Sequence, residues 1–330
     1  MMGTEASGVS ATESGRHRLT VVMAQLAALV LAAVVFPAFG PTPYVIKLMT
    51  EVLIYALWAM SLDILIGYTG LVSFGHAAYF GLGAYGTGLL IVKFQLSLLP
   101  ALLGGVAIAA AFSLLVGIII VRLSGIAFAL LTLAVSMVAY TVVWQWTTLT
   151  GGDDGLSVSR PPLNLGVASF AMKSDVSIYY LVLLLFVVCA FLLWRFTQSP
   201  TGTALAAVRD NAVRAGAIGY NVARLKLTSF LVAGSFAGVS GSLYIILRSF
   251  ASPDLLHWSA SGHILIMTIV GGTGTLFGPV IGAAMMVLVE DKLSAWTEYW
   301  MLPFGLLFVL VVGFLPGGLA QLVRKRAGRR

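Results

Sequence analysis

Residues Ser199–Lys226 read SPTGTALAAVRDNAVRAGAIGYNVARLK, a polar, basic, Gly- and Ala-rich stretch set between apolar segments of membrane-spanning length. Such an insert must lie outside the bilayer that its flanks cross, because ionised side chains are costly in hydrocarbon. The flanks decide the class. The 330 residues are 59% apolar and only 9% charged, with a mean hydropathy of +1.00, against roughly 25% charged in an ordinary soluble domain. Leu19–Phe36, Ala101–Val121 and Tyr179–Leu193 approach or reach the ~20 residues that cross a bilayer as helix, and the alternating pattern of a β-barrel is absent. The expected fold class is an all-α polytopic integral membrane protein. The single cysteine, Cys189, lies inside an apolar run as a small lipid- or helix-facing residue, so no internal disulfide or Cys-based metal cluster is expected. Neither metal nor cofactor is called for.

Spans are expected at about 19–36, 44–66, 79–92, 97–121, 125–144, 177–196, 226–247, 262–271, 277–292 and 299–316. That makes about ten, the short ones broken or tilted. The organisation is then a tail over 1–18, a transmembrane domain over 19–318 and a basic tail over 319–330. Within the domain, the segment 199–224 and the loop 145–176 lie outside the membrane on opposite sides. With the N-terminus inside, thirteen of the nineteen Lys and Arg residues fall on the cytoplasmic side, among them Arg122, Arg195, Arg209, Arg214, Arg224, Lys226 and the tail 324–330. The positive-inside rule is satisfied, an even count returns the C-terminus to the cytoplasm, and the net charge of +7 is topological rather than a nucleic-acid surface. Gly151–Val176, with TGGDDGL at its start and Pro161-Pro162, faces the side from which an importer's substrate arrives, and a plain external linker has the same composition.

Two Gly-interrupted stretches could carry a pathway. Gly67–Gly88, GYTGLVSFGHAAYFGLGAYGTG, and Gly271–Ala283, GGTGTLFGPVIGA, each hold a Phe-Gly pair followed by a further glycine. Glycine lets helices approach closely, and it lets a helix break and turn backbone groups toward a pathway. The pathway candidates are Tyr68, Ser73, Phe74, Gly75, His76, Gly274, Phe277 and Gly278. Close helix packing through Gly234–Gly238 and Gly278–Gly282 accounts for much of the same glycine content, and His76 also reads as a hydrogen-bonded packing residue. Gly81-x-Gly83-x-x-Gly86 matches a dinucleotide fingerprint literally but lacks the strand that fingerprint must follow, and no P-loop motif occurs. Ionisable groups within spans are few: Glu51 and Asp63 in the second, and Glu290-Asp291 near an outer end. Asp63 falls near the inner mouth, where a water-accessible capping or structural role fits it. An ion-coupled carrier would place paired charges at mid-depth, which disfavours a secondary carrier or channel.

Inside the insert, Ser199 followed by Pro200 is a helix entry, with Ser as cap and Pro where its missing N–H costs nothing. Leu205, Val208, Ala212 and Ala215 recur at helical spacing as one apolar face, Asp210 can pair with Arg214 one turn on, and Gly216 and Gly219 mark the exit before Asn221. The small apolar residues suit a protein groove better than lipid.

These blocks, together with Thr150–Leu156 (TGGDDGL) and Thr201–Tyr244, resemble the permease subunits of ABC importers for branched-chain amino acids, of the LivM type, over about Thr50 to Gly318. The resemblance implies the ABC importer permease fold, with the insert as the coupling segment that seats in the cytoplasmic ATPase through Gly202, Leu205, Arg209, Asp210, Asn211, Gly219 and Asn221. It implies a homologous second permease, two ATPase subunits, an external solute-binding protein and a location in the bacterial inner membrane, with ATP hydrolysed by a partner rather than by this chain. It leaves urea, short amides and aromatic acids open as cargo beside leucine, isoleucine and valine.

Overall fold

A computed structural model describes residues 33–164, 169–170, 174–296, 299, 301–314 and 318–319. The tails 1–18 and 320–330, and all of the expected first span except its last four residues, lie outside that set. The described chain is a helical bundle: α1 Pro43–Asp63, α2 His76–Val92, α3 Leu98–Ile120, α4 Gly125–Gln145, α5 Asp175–Thr197, α6 Pro200–Asp210, α7 Ala212–Ala217, α8 Val222–Arg248, α9 Trp258–Gly271, α10 Gly278–Trp296 and α11 Met301–Phe314. Among the described residues, five helical segments are long and apolar enough to cross a membrane: Pro43–Thr69, Leu98–Ile120, Gly125–Gln145, Asp175–Thr197 and Val222–Arg248. The other expected spans correspond to α2, α9, α10 and α11, which are shorter or carry more charge.

Burial separates the five. In α1 and α8, 72% and 67% of the most apolar window is buried within the chain, against 33%, 28% and 39% in α3, α4 and α5. The first two form the centre; the other three turn apolar side chains such as Leu115, Ile119, Ile126 and Leu184 outward, as lipid contact requires. Where lipid is as apolar as the side chains, helices associate through close packing and hydrogen bonds rather than through the hydrophobic effect. That is how α2, α3 and α8 meet. Gly83 lies on the backbone of Gly238, Gly238 on Ala109, Gly234 on Ser113, and Gly105 on Thr87. Ser242 adds a hydrogen bond to the Gly83 carbonyl (3.1 Å). The glycines of 234–238 and 278–282 are thus packing surfaces, and Cys189, 6% exposed, faces other helices rather than lipid.

At one end, the loop end, the segment after α4 is shaped by Gly151, Gly152 and Gly155, all at positive φ. It adds β1 (Leu156–Ser157) antiparallel to β4 (Phe250–Ala251), while β2 (Leu163–Asn164) pairs with β3 (Ser169–Phe170). Arg160 knits this end together. It donates to Leu247 O (2.9 Å) and Ser249 Oγ (3.2 Å) and pairs with Asp175 (3.2 Å), which also lies 3.5 Å from Lys47. The opposite end carries α6 and α7 and is called the insert end below.

The closest helix crossing provides a direct check. A Cβ at Gly241 would collide with the Phe80 carbonyl, whereas one at Gly305 meets nothing within 4 Å. Gly241→Val is expected to lower stability by about 1–3 kcal/mol through overpacking, and Gly305→Ala to raise it by up to about 1 kcal/mol, alanine being the better helix former where there is room. Thermal unfolding in mild detergent, followed by tryptophan fluorescence, reads both. Equal midpoints for the two variants would contradict the α2–α8 contact.

Candidate functional site

At the insert end α1 widens before it stops. Ile64–Thr69 forms a π-helical turn, Thr69 Oγ1 donates to Ile64 O (2.8 Å), and the Leu71 amide reaches back to Leu65 O (2.8 Å). Gly70 closes the turn at φ +74°, and a Cβ there would also press on the Arg209 stem at 3.0 Å. The second interruption separates α9 from α10, with Gly272 at φ +110° and Gly274 at φ +73°. Left-handed backbone of this kind is what glycine permits without a steric penalty.

The two interruptions meet. Gly67 lies against the backbone of Gly274 with no room for a side chain. Asp63 Oδ1 accepts a hydrogen bond from the Gly274 amide (2.8 Å), and Arg209, at the end of α6, donates from Nη1 to the Gly67 carbonyl. A broken helix leaves amides and carbonyls without intrahelical partners, and in an apolar bundle each must find another. Here an acid serves one segment and a base from the insert serves the other. Asp63 is fully buried, so the water-accessible position expected for it is corrected: it pins the second interruption to the first from inside the bundle.

The remaining pathway candidates divide into two groups. Tyr68, Phe277 and Gly278 stay with Gly274 around this node; the Gly278 amide donates to Thr275 O (3.1 Å). Ser73–His76 lie apart from them against α4 and α1. The Phe74 amide donates to Thr132 Oγ1 (3.1 Å), Gly75 is pressed on the Thr132 carbonyl, and Ser73 Oγ accepts from the Gly75 amide (3.4 Å). His76 is fully buried, with Nε2 2.9 Å from Ser61 Oγ and its ring edge-on to Tyr79. Its Nδ1, equally buried, has no hydrogen-bond partner among the described residues. Among the described residues no group of three or more His, Cys, Asp or Glu side chains could hold a metal ion.

The insert departs from expectation. Ser199 caps α6 by accepting from the Gly202 amide (3.3 Å), with Pro200 in the first turn, but the helix ends at Asp210. Asn211 takes extended backbone (φ −163°, ψ 101°) and caps α7 by accepting from the Arg214 amide (2.9 Å). Two helices replace the single one, so the Asp210–Arg214 pair does not form; Asp210 lies 3.5 Å from Arg209 instead. The expected outward apolar face is also reversed. Leu205, Val208 and Ala215 are buried in the chain's own packing, Gly202 sits on the Thr197 carbonyl, and the apolar side chains left exposed are Val213 (85%), Ile218 (70%) and Tyr220 (45%). Gly219 makes the turn at φ +99°, and Asn221 caps α8 through the Arg224 amide (3.0 Å). Gly216, expected to mark the exit, remains inside α7. Asn211 and Asn221, each placed to cap a helix start, were the sequence signals for this division.

A bundle of apolar helices whose two interruptions are tied at one end to a polar helical pair has the build of a multi-pass membrane permease. Residues 44–312 match the family described as branched-chain amino acid transport system / permease component, and the chain belongs to that family. It is 28% identical to the high-affinity branched-chain amino acid transport system permease protein LivM of Escherichia coli (strain K12), over 91% of this chain and 75% of that protein. It is 24% identical to the probable branched-chain amino acid transport permease protein LivM of Methanocaldococcus jannaschii, over 81% of this chain and 90% of the other. A shorter match, 28% identical over 49% of each chain, is to the autoinducer 2 import system permease protein LsrC of Enterobacter sp. (strain 638). No solved structure matches the chain significantly.

Asp63→Ala leaves the part-buried Gly274 amide without its acceptor, and the expected loss is about 1 kcal/mol. A cysteine at exposed Thr273 should then react faster with a water-soluble maleimide. Asp63→Asn keeps an acceptor oxygen and should label at close to the parental rate. Equal labelling in all three backgrounds would mean that the carboxylate does not pin the loop.

Proposed function

We propose that the chain is the membrane-spanning permease subunit of an ATP-driven importer for branched-chain amino acids, with α6 and α7 as its coupling segment. The observation that carries the reading is the contact of Arg209 with the Gly67 carbonyl. It joins the polar insert directly to the widened turn of α1, and through Asp63 and Gly274 to the second interruption. A partner that moved α6 would move both. The partner's place is supported by Val213, Ile218 and Tyr220, three exposed apolar side chains on a helical pair that also carries Arg214 and Asn211. Apolar anchors with a polar surround are what a groove on another protein accepts.

On this reading the ATP chemistry belongs to two cytoplasmic ATPase subunits, and a homologous second permease completes the membrane portion. A solute-binding protein delivers cargo at the loop end. The protein sits in the bacterial inner membrane with the insert and both termini in the cytoplasm, an orientation that the distribution of basic residues supports. Cargo is assigned from the family and from the named relatives. Leucine, isoleucine and valine come first, with urea, short amides and aromatic acids as the comparison set. The alternating step is a shift between two arrangements of the broken segments, biased by what the ATPase does to α6.

The test is uptake into proteoliposomes holding the assembled transporter, with labelled amino acids and amides supplied on the binding protein. Uptake of leucine, isoleucine and valine should require ATP, and transport by the chain alone on an ion gradient would overturn the assignment. The double variant Arg209→Glu, Asp210→Arg should retain ATP hydrolysis and lose most uptake, because the insert can no longer donate to Gly67. Unchanged uptake in that variant would remove α6 from the mechanism.

A further inference from the structure

The chain between α8 and α9 does not stay at the loop end. β4 lies there, paired with β1 and held to α2 by the Tyr85 hydroxyl, which donates to Ala251 O (3.1 Å). The residues that follow descend into the bundle. Leu256 O accepts from Ser136 Oγ (2.7 Å), and a Cβ on Gly81 would strike the Leu256 side chain. Ser136 is at the midpoint of α4, eleven residues from Gly125 and nine from Gln145, or roughly 16 Å and 14 Å from its two ends at 1.5 Å per residue. Gly81 is in the insert-side half of α2. α9 therefore starts at mid-depth. The Ala77 amide, in the first turn of α2, donates to Ser261 Oγ (2.8 Å), and from there α9 runs to the Gly272 interruption at the node. Residues 249–257 are thus re-entrant backbone whose one regular piece, after β4, is a 3₁₀ turn at Pro253–Leu256.

What this segment turns outward does not suit lipid. Asp254 and Ser259 are exposed, and Trp258 is 44% exposed. The Tyr140 ring of α4 meets His257 edge-on (5.2 Å, 69°), and His257 lies tilted against Trp258 (5.7 Å, 46°) while its Nδ1 accepts from the Ser259 amide (3.4 Å). Acids elsewhere in the bundle have partners. Glu51 accepts from Arg248 (2.6 Å) in a polar cluster with Tyr55 and Tyr244, Asp175 pairs with Arg160, and Glu290 lies 3.3 Å from His263. Asp254 has no basic partner among the described residues. Irregular backbone and unpaired charge are tolerated at membrane depth only against protein or water. An exposed indole beside a phenol and a hydroxyl has the composition of a protein contact rather than of a water-filled wall. The described ends of the chain are engaged elsewhere: Ala33 O accepts from Tyr179 on α5 (2.8 Å), and Gly318 lies on Gly272 at the insert end.

We propose that the outward face of this re-entrant segment, Asp254, His257, Trp258 and Ser259 with Tyr140 beside them, is the surface on which the homologous second permease docks. The inference rests on the importer reading, and it adds the place where the two permeases meet. Trp258 is the aromatic anchor of the contact, and the partner supplies the donor that Asp254 lacks. α9 begins on this face and ends at the Gly272 interruption, so one helix joins the seam between permeases to the node that the insert holds.

The test uses the assembled transporter in lipid nanodiscs, with the two permeases carrying different tags. A photoreactive p-benzoylphenylalanine replacing Trp258 should give, on irradiation, a covalent adduct that bears both tags, whereas the same residue replacing Ile119, which α3 turns outward at 70% exposure, should not. An adduct from position 258 with lipid, with an ATPase subunit or with a second copy of this chain overturns the assignment, as does the absence of any protein adduct there. Ser259→Trp adds bulk to the face and should cut the amount of second permease retained on the purified chain about tenfold. Ser259→Ala loses the same contact with His257 Nδ1 (2.8 Å) without adding bulk, and should retain the partner. Matching unfolding midpoints for the two variants in mild detergent show that both are folded, and equal retention by both overturns the docking face. Co-purification and uptake of the parental assembly are measured in parallel. If ATP-dependent uptake persists while position 258 fails to reach the second permease, the importer reading stands and only the docking face falls; if the parental chain retains neither a second permease nor an ATPase, the importer reading falls first.

Discussion

The hydrogen bond from Arg209 to the Gly67 carbonyl, with its counterpart from the Gly274 amide to Asp63, is the condition on which the rest of the bundle depends. A helix in hydrocarbon satisfies its own backbone, and a helix that breaks there does not; each orphaned group costs several kcal/mol unless something replaces the lost partner. Water cannot do so for a carboxylate buried as fully as that of Asp63. The chain therefore brings its own replacements, one from α1 itself and one from outside the bundle. This arrangement lets two interruptions persist side by side, and it makes the geometry of α1 conditional on where α6 sits.

The dependence extends through the centre of the molecule by packing. Small residues on α2, α3 and α8 place backbone on backbone, as with Gly83 on Gly238 and Gly241 on Phe80. Interfaces of this kind have little room to deform gradually, since a side chain's width of slack does not exist. A displacement of α1 at its widened turn is then carried along the helix rather than absorbed. α1 and α8 are the most buried of the long segments; Glu51 and Tyr55 lie at mid-length of α1 and Tyr244 and Arg248 in the last turns of α8, so α1 carries residues of both polar clusters.

Much of this was legible in the sequence where the signal was local. Apolar run length located the long helices to within a few residues, and Ser199-Pro200 located the start of α6, because both depend on neighbours in the chain. The signal failed where distant parts decide. Leu205, Val208, Ala212 and Ala215 have the spacing of one amphipathic helix, yet Asn211 offers the Arg214 amide a cap, and the local bond wins over continuation of the helix. The direction of the apolar face was then set by which surface lay nearest, the chain's own bundle, leaving Val213, Ile218 and Tyr220 outside. Asp63 and Gly274 are separated by 211 residues and Glu51 and Arg248 by 197; no periodicity reports such a pair. What the sequence did offer was rarity: an acid within an apolar span requires a partner, and naming that partner required the fold.

Between the two ends the buried polar groups are of another kind. Ser61, Thr132, Ser136, Ser242 and Thr268 donate to backbone carbonyls, and His76 meets Ser61. The hydroxyls are satisfied within the protein and suited to close helix packing, while His76 keeps a buried Nδ1 without a partner among the described residues. The charged residues that can exchange partners are concentrated at the extremities, around Arg209 at one and around Arg248 at the other. Work applied to such a molecule must enter at an end. Among the described residues, the insert end sets exposed apolar side chains beside a base that holds the broken backbone directly.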